Sequence, residues 1–133
     1  MKLHGYFRSS AAWRVRIALN LKGLPVTHVS HHLRNGEQRA PDYLALNPQG
    51  LVPVLERDDG SVLPQSLAII EWLEETHPEP PLLPSEPAQR ARVRAFAQII
   101  ACDTHPVQNL KVLNRLRELG HGSDVVLAWA AAV

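Results

Sequence analysis

The sequence predicts an α/β domain of order β-α-β-α-β-β-α followed by a stretch that is helical throughout, and three observations carry that prediction. Strand-like and helix-like segments alternate as far as Thr76. A proline-dense connector follows, His77-Pro78-Glu79-Pro80-Pro81-Leu82-Leu83-Pro84, which is stiff, extended and unable to continue a helix. Beyond it only helical periodicity remains. Residues 1–80 therefore read as one domain and 85–133 as part of a second. The 133 residues, 45% hydrophobic and 20% charged, suffice for one core and a portion of another.

Lys2 to Tyr6 reads as the first strand. From Ser10, apolar Ala11, Val15, Ala18 and Leu19 recur at helical spacing, widened by Ile17 and Leu21, while Arg14, Arg16, Asn20 and Lys22 are assigned to water. Gly23 suits the position just past a helix end and Pro25 blocks continuation, so the helix spans about Ser10 to Lys22. Val26 to Leu33 reads as a strand parallel to the first, because a helix connects the two. Arg34 to Gln38 forms a polar loop, and Pro41 to Leu46 a short helix ended by Asn47-Pro48. Val52 to Glu56 and Ser61 to Leu63 make a hairpin about Asp58-Asp59-Gly60.

Ser66 is expected to cap the next helix, with Ile69, Ile70 and Leu73 inward and Glu71, Glu74 and Glu75 in solvent. After the connector, Ser85 and Pro87 signal the start of a long helix carrying Val93, Phe96 and Ile100. Pro106 kinks or divides it, Val107 to Leu119 resumes the pattern, and Gly120-His121-Gly122 stops it. Ser123-Asp124 is expected to cap a last helix, Val125 to Val133. So few helices cannot bury all their apolar faces against one another, and the second domain is expected to be incomplete.

Several function classes are disfavoured. A net charge of +1 without a Lys/Arg run argues against a nucleic-acid binder. The single Cys102 excludes an internal disulfide and a CxxC redox pair and points to a reducing cytoplasm; on an apolar helix face it reads as a buried, inert thiol. No secretory leader is expected from the strand-like residues at the N-terminus, and the most apolar run, Val125 to Val133, is far short of the ~20 residues of a membrane helix. His28, His31 and His32 read as strand histidines, so no metal site is expected.

Chemistry concentrates at Ser9 and Ser10, where the strand turns into the first helix. Free N–H groups and the positive end of the helix dipole suit an anion there, and a serine serves equally as a plain N-cap. Arg14 and Arg16 lie about 200° apart around the helix and cannot share a face, so one is expected to make a structural ion pair or carboxylate contact inside the fold.

Longer motifs then resemble one family. Ser9-Ser10-Ala11-Ala12-Trp13-Arg14-Val15-Arg16-Ile17-Ala18-Leu19 is similar to the zeta-class glutathione transferase signature, usually Ser-Ser-Cys-x-Trp-Arg-Val-Arg-Ile-Ala-Leu. The likeness continues in Ala45-Leu46-Asn47-Pro48-Gln49-Gly50-Leu51-Val52-Pro53, in Gln65-Ser66-Leu67-Ala68-Ile69-Ile70-Glu71-Trp72-Leu73-Glu74-Glu75 and in Leu82-Leu83-Pro84. It resumes at Cys102-Asp103-Thr104-His105-Pro106-Val107-Gln108-Asn109-Leu110-Lys111-Val112-Leu113 and reaches about Gly122. The resemblance implies a thioredoxin-like N-terminal domain, the first helices of an all-α C-terminal domain, a cytoplasmic homodimer and glutathione as cofactor. The activity it implies is cis-trans isomerisation of maleylacetoacetate or maleylpyruvate, small dicarboxylic cis-enones. The alternative is a glutathione-binding module without turnover.

By that resemblance Ser9 and Ser10 activate the thiol. Arg8 sits just before them, where its guanidinium suits either a substrate carboxylate or plain solvation. Ala11, Ala12, Trp13 and Arg14 complete that edge of the glutathione site. Val52 and a cis Pro53 are implied to pair with the peptide part of glutathione as an added strand, Gln65 and Ser66 to receive its γ-glutamyl carboxylate, and Gln38 to contact its glycyl end. Asp103, His105, Asn109, Leu110 and Lys111 match second-domain positions that face glutathione. Two departures stand out. Ala11 replaces the usual cysteine, which implies weakened or altered catalysis, and the chain is expected to stop before the helical domain is complete.

Overall fold

The computed structural model describes residues 1–132, and these divide between Leu83 and Pro84 into two compact units. In the first, β1 (Lys2–Gly5), α1 (Ser10–Leu21), β2 (Thr27–Ser30), α2 (Pro41–Leu46), β3 (Val54–Glu56), β4 (Val62–Pro64) and α3 (Ser66–Thr76) follow in the expected order. The sheet runs β2-β1-β3-β4. β1 and β2 are parallel, and β3 is antiparallel to both β1 and β4. Hence β1, β2 and β4 all point the same way, and the turns that leave them gather at the sheet end where β3 begins.

Three- and four-residue strands suffice because α1 and α3 cover one sheet face. Leu3 and Leu55 from the strands meet Val15, Ala18 and Leu19 of α1 and Ile69 and Leu73 of α3 in one buried cluster. Each Val, Leu or Ile side chain so withdrawn from water contributes about 1.5–3 kcal/mol. The helix can lie this close because Gly5 has no side chain: a Cβ there would stand 3.2 Å from that of Ala12. Alternation puts His4 on the opposite face, also buried, against His31 and the Tyr43 of α2.

The predicted end of α1 is borne out. Gly23 adopts φ +64°, and the amides of Gly23 and Leu24 reach back to the carbonyls of Asn20 (3.1 Å) and Leu19 (3.0 Å). The stripe is narrower than expected, since Ile17 and Leu21 are exposed. Two charged residues assigned to water are instead buried. The Lys22 side chain is 0% exposed, and its ammonium lies 2.8 Å from Glu74 Oε2 while donating to the carbonyls of His77 (2.7 Å) and Pro80 (3.0 Å). Glu74 also accepts the amides of Leu82 and Leu83, its nearest oxygens at 3.0 and 3.1 Å. Periodicity places charges outside by default, whereas a proline-dense connector has no ladder for its own backbone groups. Lys22 and Glu74 serve as their partners.

β2 is shorter than predicted because β1 ends at Gly5: after the amide of His31 meets the Gly5 carbonyl (2.8 Å), no neighbouring strand remains. The chain instead makes 3₁₀ turns at Leu33–Asn35 and Glu37–Arg39.

The second unit contains α4 (Pro87–Gln98), α5 (Leu110–Glu118) and α6 (Ser123–Ala131). Glu86, not Ser85, caps α4, its carboxylate accepting the amides of Ala88 and Gln89 at 2.8 Å each. Ile99–Thr104 forms a π-helical turn, after which Pro106 separates α4 from α5. The wider turn adds a residue to the helical period, so the face of α4 is not continued through Cys102, which is exposed rather than buried. Gly120, at φ +90°, ends α5 as predicted. Gly122 precedes α6 as its N-cap residue, Ser123 is already helical, and neither Ser123 nor Asp124 caps it; the expected end at Val133 lies outside the described residues. Among the described residues no helix is long and apolar enough to cross a membrane, and no cluster of His, Cys, Asp and Glu is placed to hold a metal ion.

Candidate functional site

The shared end of the sheet collects the start of α1, the start of α3 and the loop that enters β3. At α1, a turn closed by the Ser9 amide on the Tyr6 carbonyl (3.0 Å) delivers Ser9 as N-cap, with extended backbone at φ −76°, ψ 115°. Its Oγ accepts from the Ala12 amide at 3.2 Å. Of the leading amides this leaves those of Ser10 and Ala11 without an acceptor among the described residues, and the first turn holds no acidic side chain. The Ser10 hydroxyl is exposed, and the hydrogen of the Ser9 hydroxyl has no acceptor among the described residues. Arg8 is exposed and makes no ion pair among the described residues, Ala11 is half-buried, Ala12 points into the core and Trp13 points outward. Arg16 donates to the Phe7 carbonyl at 3.1 Å, not to a carboxylate, and Arg14 donates to Ser66 Oγ at 3.2 Å.

That last contact corrects the expectation for α3. Ser66 does not cap the helix; it is the first helical residue, and Gln65 holds the cap position without a side-chain bond to the helix amides. Gln65 carries φ +70°, the left-handed region that a side chain occupies at a cost of about 1–3 kcal/mol. Its amide nitrogen donates to Gln49 Oε1 at 3.0 Å. Strain at Gln65 thus leaves the first amides of α3 uncapped beside a serine that is 7% exposed.

Between them runs the loop into β3. The Val52-Pro53 bond is cis, as the resemblance implied, and the N–H and C=O of Val52 have no partner among the described residues. The preceding Leu51 carbonyl is clamped by the Tyr43 hydroxyl (2.6 Å) and the buried Asn47 amide (2.8 Å). Burial pushes the Tyr43 phenol up to about 12, so it remains a donor. Gly50, at φ +62°, lets the loop meet the Gln38-Arg39 segment: a Cβ there would stand 2.9 Å from Arg39 Nη1 and 3.1 Å from the Gln38 carbonyl. Gln38 donates weakly to the Leu33 carbonyl (3.4 Å), and its Oε1 is buried without a partner. Glu37 beside it accepts the His32 amide at 2.6 Å, a bond that holds its carboxyl below the usual range.

Comparison with known proteins agrees with this arrangement. Residues 3–81 match the model for the glutathione S-transferase N-terminal domain. The chain belongs to the glutathione S-transferase family. Maleylacetoacetate isomerase of Pseudomonas aeruginosa is 53% identical over 131 residues, 97% of this chain and 62% of that protein. A holo maleylpyruvate isomerase, described as a bacterial glutathione S-transferase of the zeta class, superposes with TM-score 0.94 at 47% identity, over 99% of this chain and 62% of the other. The Methylobacterium extorquens AM1 maleylacetoacetate isomerase, solved with malonate and glutathione bound, gives TM-score 0.95 at 50% identity, over 98% and 61%. This chain thus spans about three fifths of the length of the relatives it matches.

Asp103, His105, Asn109, Leu110 and Lys111 lie in the second unit of the chain, around the passage from the π-helical turn to α5. Asn109 caps α5 there, its Oδ1 accepting the Val112 amide at 3.2 Å. Asp103, Leu110 and Lys111 are exposed and His105 is half-buried. Sequence reasoning missed Tyr43, Asn47, Gln49 and Gly50 as the frame of the β3 loop. Asn47-Pro48-Gln49-Gly50 carried the signal, since an asparagine before proline and glycine marks a turn that its own side chain closes, as the Gln49 amide bond to Asn47 Oδ1 (3.1 Å) does.

Proposed function

We propose that the chain holds glutathione at the shared sheet end and belongs to a glutathione-dependent cis-trans isomerase of the maleylacetoacetate or maleylpyruvate type, working on small dicarboxylic cis-enones in aromatic catabolism. The observation that carries this reading is the pair of incompletely capped helix starts, α1 and α3, flanking an unpaired backbone edge at Val52. The residues fit the tripeptide. Ser66 and the α3 amides suit a carboxylate, Val52 suits a peptide group, and the orphaned Oε1 of Gln38 suits an N–H near the glycyl end. The M. extorquens relative, with glutathione and a small dicarboxylate bound together, supports the substrate class.

Glutathione, when bound, supplies the sulfur nucleophile. The chain's part is to hold negative charge where that sulfur lies. Ser9 is the better-organised donor, because its cap bond fixes Oγ and leaves the hydroxyl hydrogen to donate; Ser10 and the amides of Ser10 and Ala11 add to it. Such a helix-end setting lowers a thiol pKa by about one unit or more. Arg8 offers a bidentate fork to a substrate carboxylate. Residues Asp103, His105, Asn109, Leu110 and Lys111 belong to the same proposal as glutathione contacts from the second domain, as do a cytoplasmic setting and a homodimer.

The test is isomerisation of maleylpyruvate followed with and without glutathione, alongside retention on glutathione resin. Glutathione-dependent turnover is expected, slowed by Ala11. Retention without turnover reduces the chain to a binding module, and loss of both overturns the reading.

A further inference from the structure

We infer that the imidazoles of His4 and His31 are a positioning pair for the loop that carries Val52: they share one hydrogen at neutral pH, and acid, by giving each ring its own, releases the loop and weakens glutathione binding. The inference rests on the glutathione reading above and adds a pH limit to it. His4, on β1, is buried on the sheet face away from α1 and α3. Its Nδ1 stands 3.0 Å from His31 Nε2, and its Nε2 stands 3.1 Å from Glu56 Oε2 on β3. Lys2 holds the other oxygen of Glu56 at 2.8 Å, and the bonds from Lys2 and His4 keep that carboxyl below its ordinary range. A carboxylate only accepts, so His4 Nε2 donates to it, and His4 Nδ1 and His31 Nε2 are left with one hydrogen between them. One added proton preserves their bond, because it settles on the far nitrogen of His31. A second sets N–H against N–H, at a distance that only N–H···N allows.

The rings must then part, and His31 has little freedom. Its amide is tied to the Gly5 carbonyl at 2.8 Å, and its ring lies 4.4 Å from that of Tyr43, which is 2% exposed. The Tyr43 hydroxyl clamps the Leu51 carbonyl, and Val52 follows. Movement of the His31 ring is therefore passed through Tyr43 to the backbone edge proposed to pair with glutathione. Among the described residues, the charged and titratable groups that bear on the pair are Lys2 and Glu56, the Tyr43 phenol of α2, and Glu37 on the 3₁₀ turn. Burial and the His4 ring hold the His31 imidazole below its ordinary 6.5, with Glu37 pulling the other way. The closed pair thus takes up protons less readily than separated rings do, so acid favours separation.

Calorimetric titration of the whole chain with S-methylglutathione, whose sulfur carries no proton, tests this between about pH 5 and 8. Wild-type affinity should be level above about pH 6.5 and fall about tenfold toward the acid limit, as the fraction of chains with a closed pair falls. His31→Phe, which keeps a ring against Tyr43, and His31→Gln should each remove most of that fall. In wild type with isotope-labelled histidine nitrogens, the scalar coupling between His4 Nδ1 and His31 Nε2 across their shared hydrogen should vanish over the same range. A fall of equal size in the variants overturns the inference, as does a level wild-type affinity or a coupling that survives where affinity is lost. Either variant carries the comparison if the other does not fold, and the coupling needs neither. Failure of wild type to bind at any pH is a different result, which removes the glutathione reading and this inference with it.

Discussion

Ser9 combines two roles that a single substitution removes together. Ser9→Ala takes away a cap worth about 1 kcal/mol and also the best-organised hydroxyl at the start of α1. A lower thermal midpoint and a fall in glutathione-dependent turnover of about 100-fold are therefore expected. Ser10→Ala leaves the cap in place, should change stability by less than about 0.5 kcal/mol, and should cost less activity. Paired melting curves and rates decide the matter; a larger activity loss in Ser10→Ala would transfer the role to Ser10. The sequence made both serines visible as candidates. It did not divide the work, because that depends on a one-residue offset in where the helix begins. The same offset misled the reading of Ser66: a serine before an apolar run looks like a cap whether it stands at the cap or one position inside, and only the left-handed Gln65 decides between them.

Among the elements, α1 and α3 are joined by a buried ion pair at their far ends. Burial raises the Glu74 carboxyl, but the Lys22 ammonium and the amides of Leu82 and Leu83 outweigh it, leaving the group below its ordinary 4.5. The unfolded chain therefore takes up this proton first as pH falls. The stability contributed by Glu74 is complete above about pH 4.5 and is lost as pH drops through the lower folded value. Glu74→Gln should flatten that acid limb. It should also destabilise the protein at neutral pH by about 3 kcal/mol, since it leaves the Lys22 charge buried without its counter-ion. Urea unfolding of both proteins across the acid range checks the prediction, and identical slopes would refute it. The order of strands and helices was legible because turns, caps and periodicity are local. The Lys22–Glu74 pair was not, because its partners are 52 positions apart (74 minus 22) and each alone resembles a solvated charge.

At the scale of the molecule, large apolar side chains remain in water in both units, among them Trp13 on α1, Phe96 on α4, at 70% exposure, and Leu127 on α6, at 69%. Such surface favours association. Sedimentation of the 133-residue chain should show concentration-dependent self-association, and a strictly monomeric boundary at every concentration would contradict it. The match to relatives over about three fifths of their length was legible from the order of the motifs. The exposure of Cys102 was not, because it follows from one extra residue in a helical turn that leaves no mark in composition.

The sheet separates its two ends by use. Everything proposed to meet glutathione from the first unit lies on turns at one end, whereas the β3–β4 turn and the N-terminal ammonium, paired with Asp58, lie at the other. For anyone handling the protein, that pairing makes the choice of purification tag a choice between ends. A peptide fused ahead of Met1 forfeits the Asp58 contact, yet it hangs from the end of the sheet opposite the proposed ligand site and is the better place for a label or an anchoring surface.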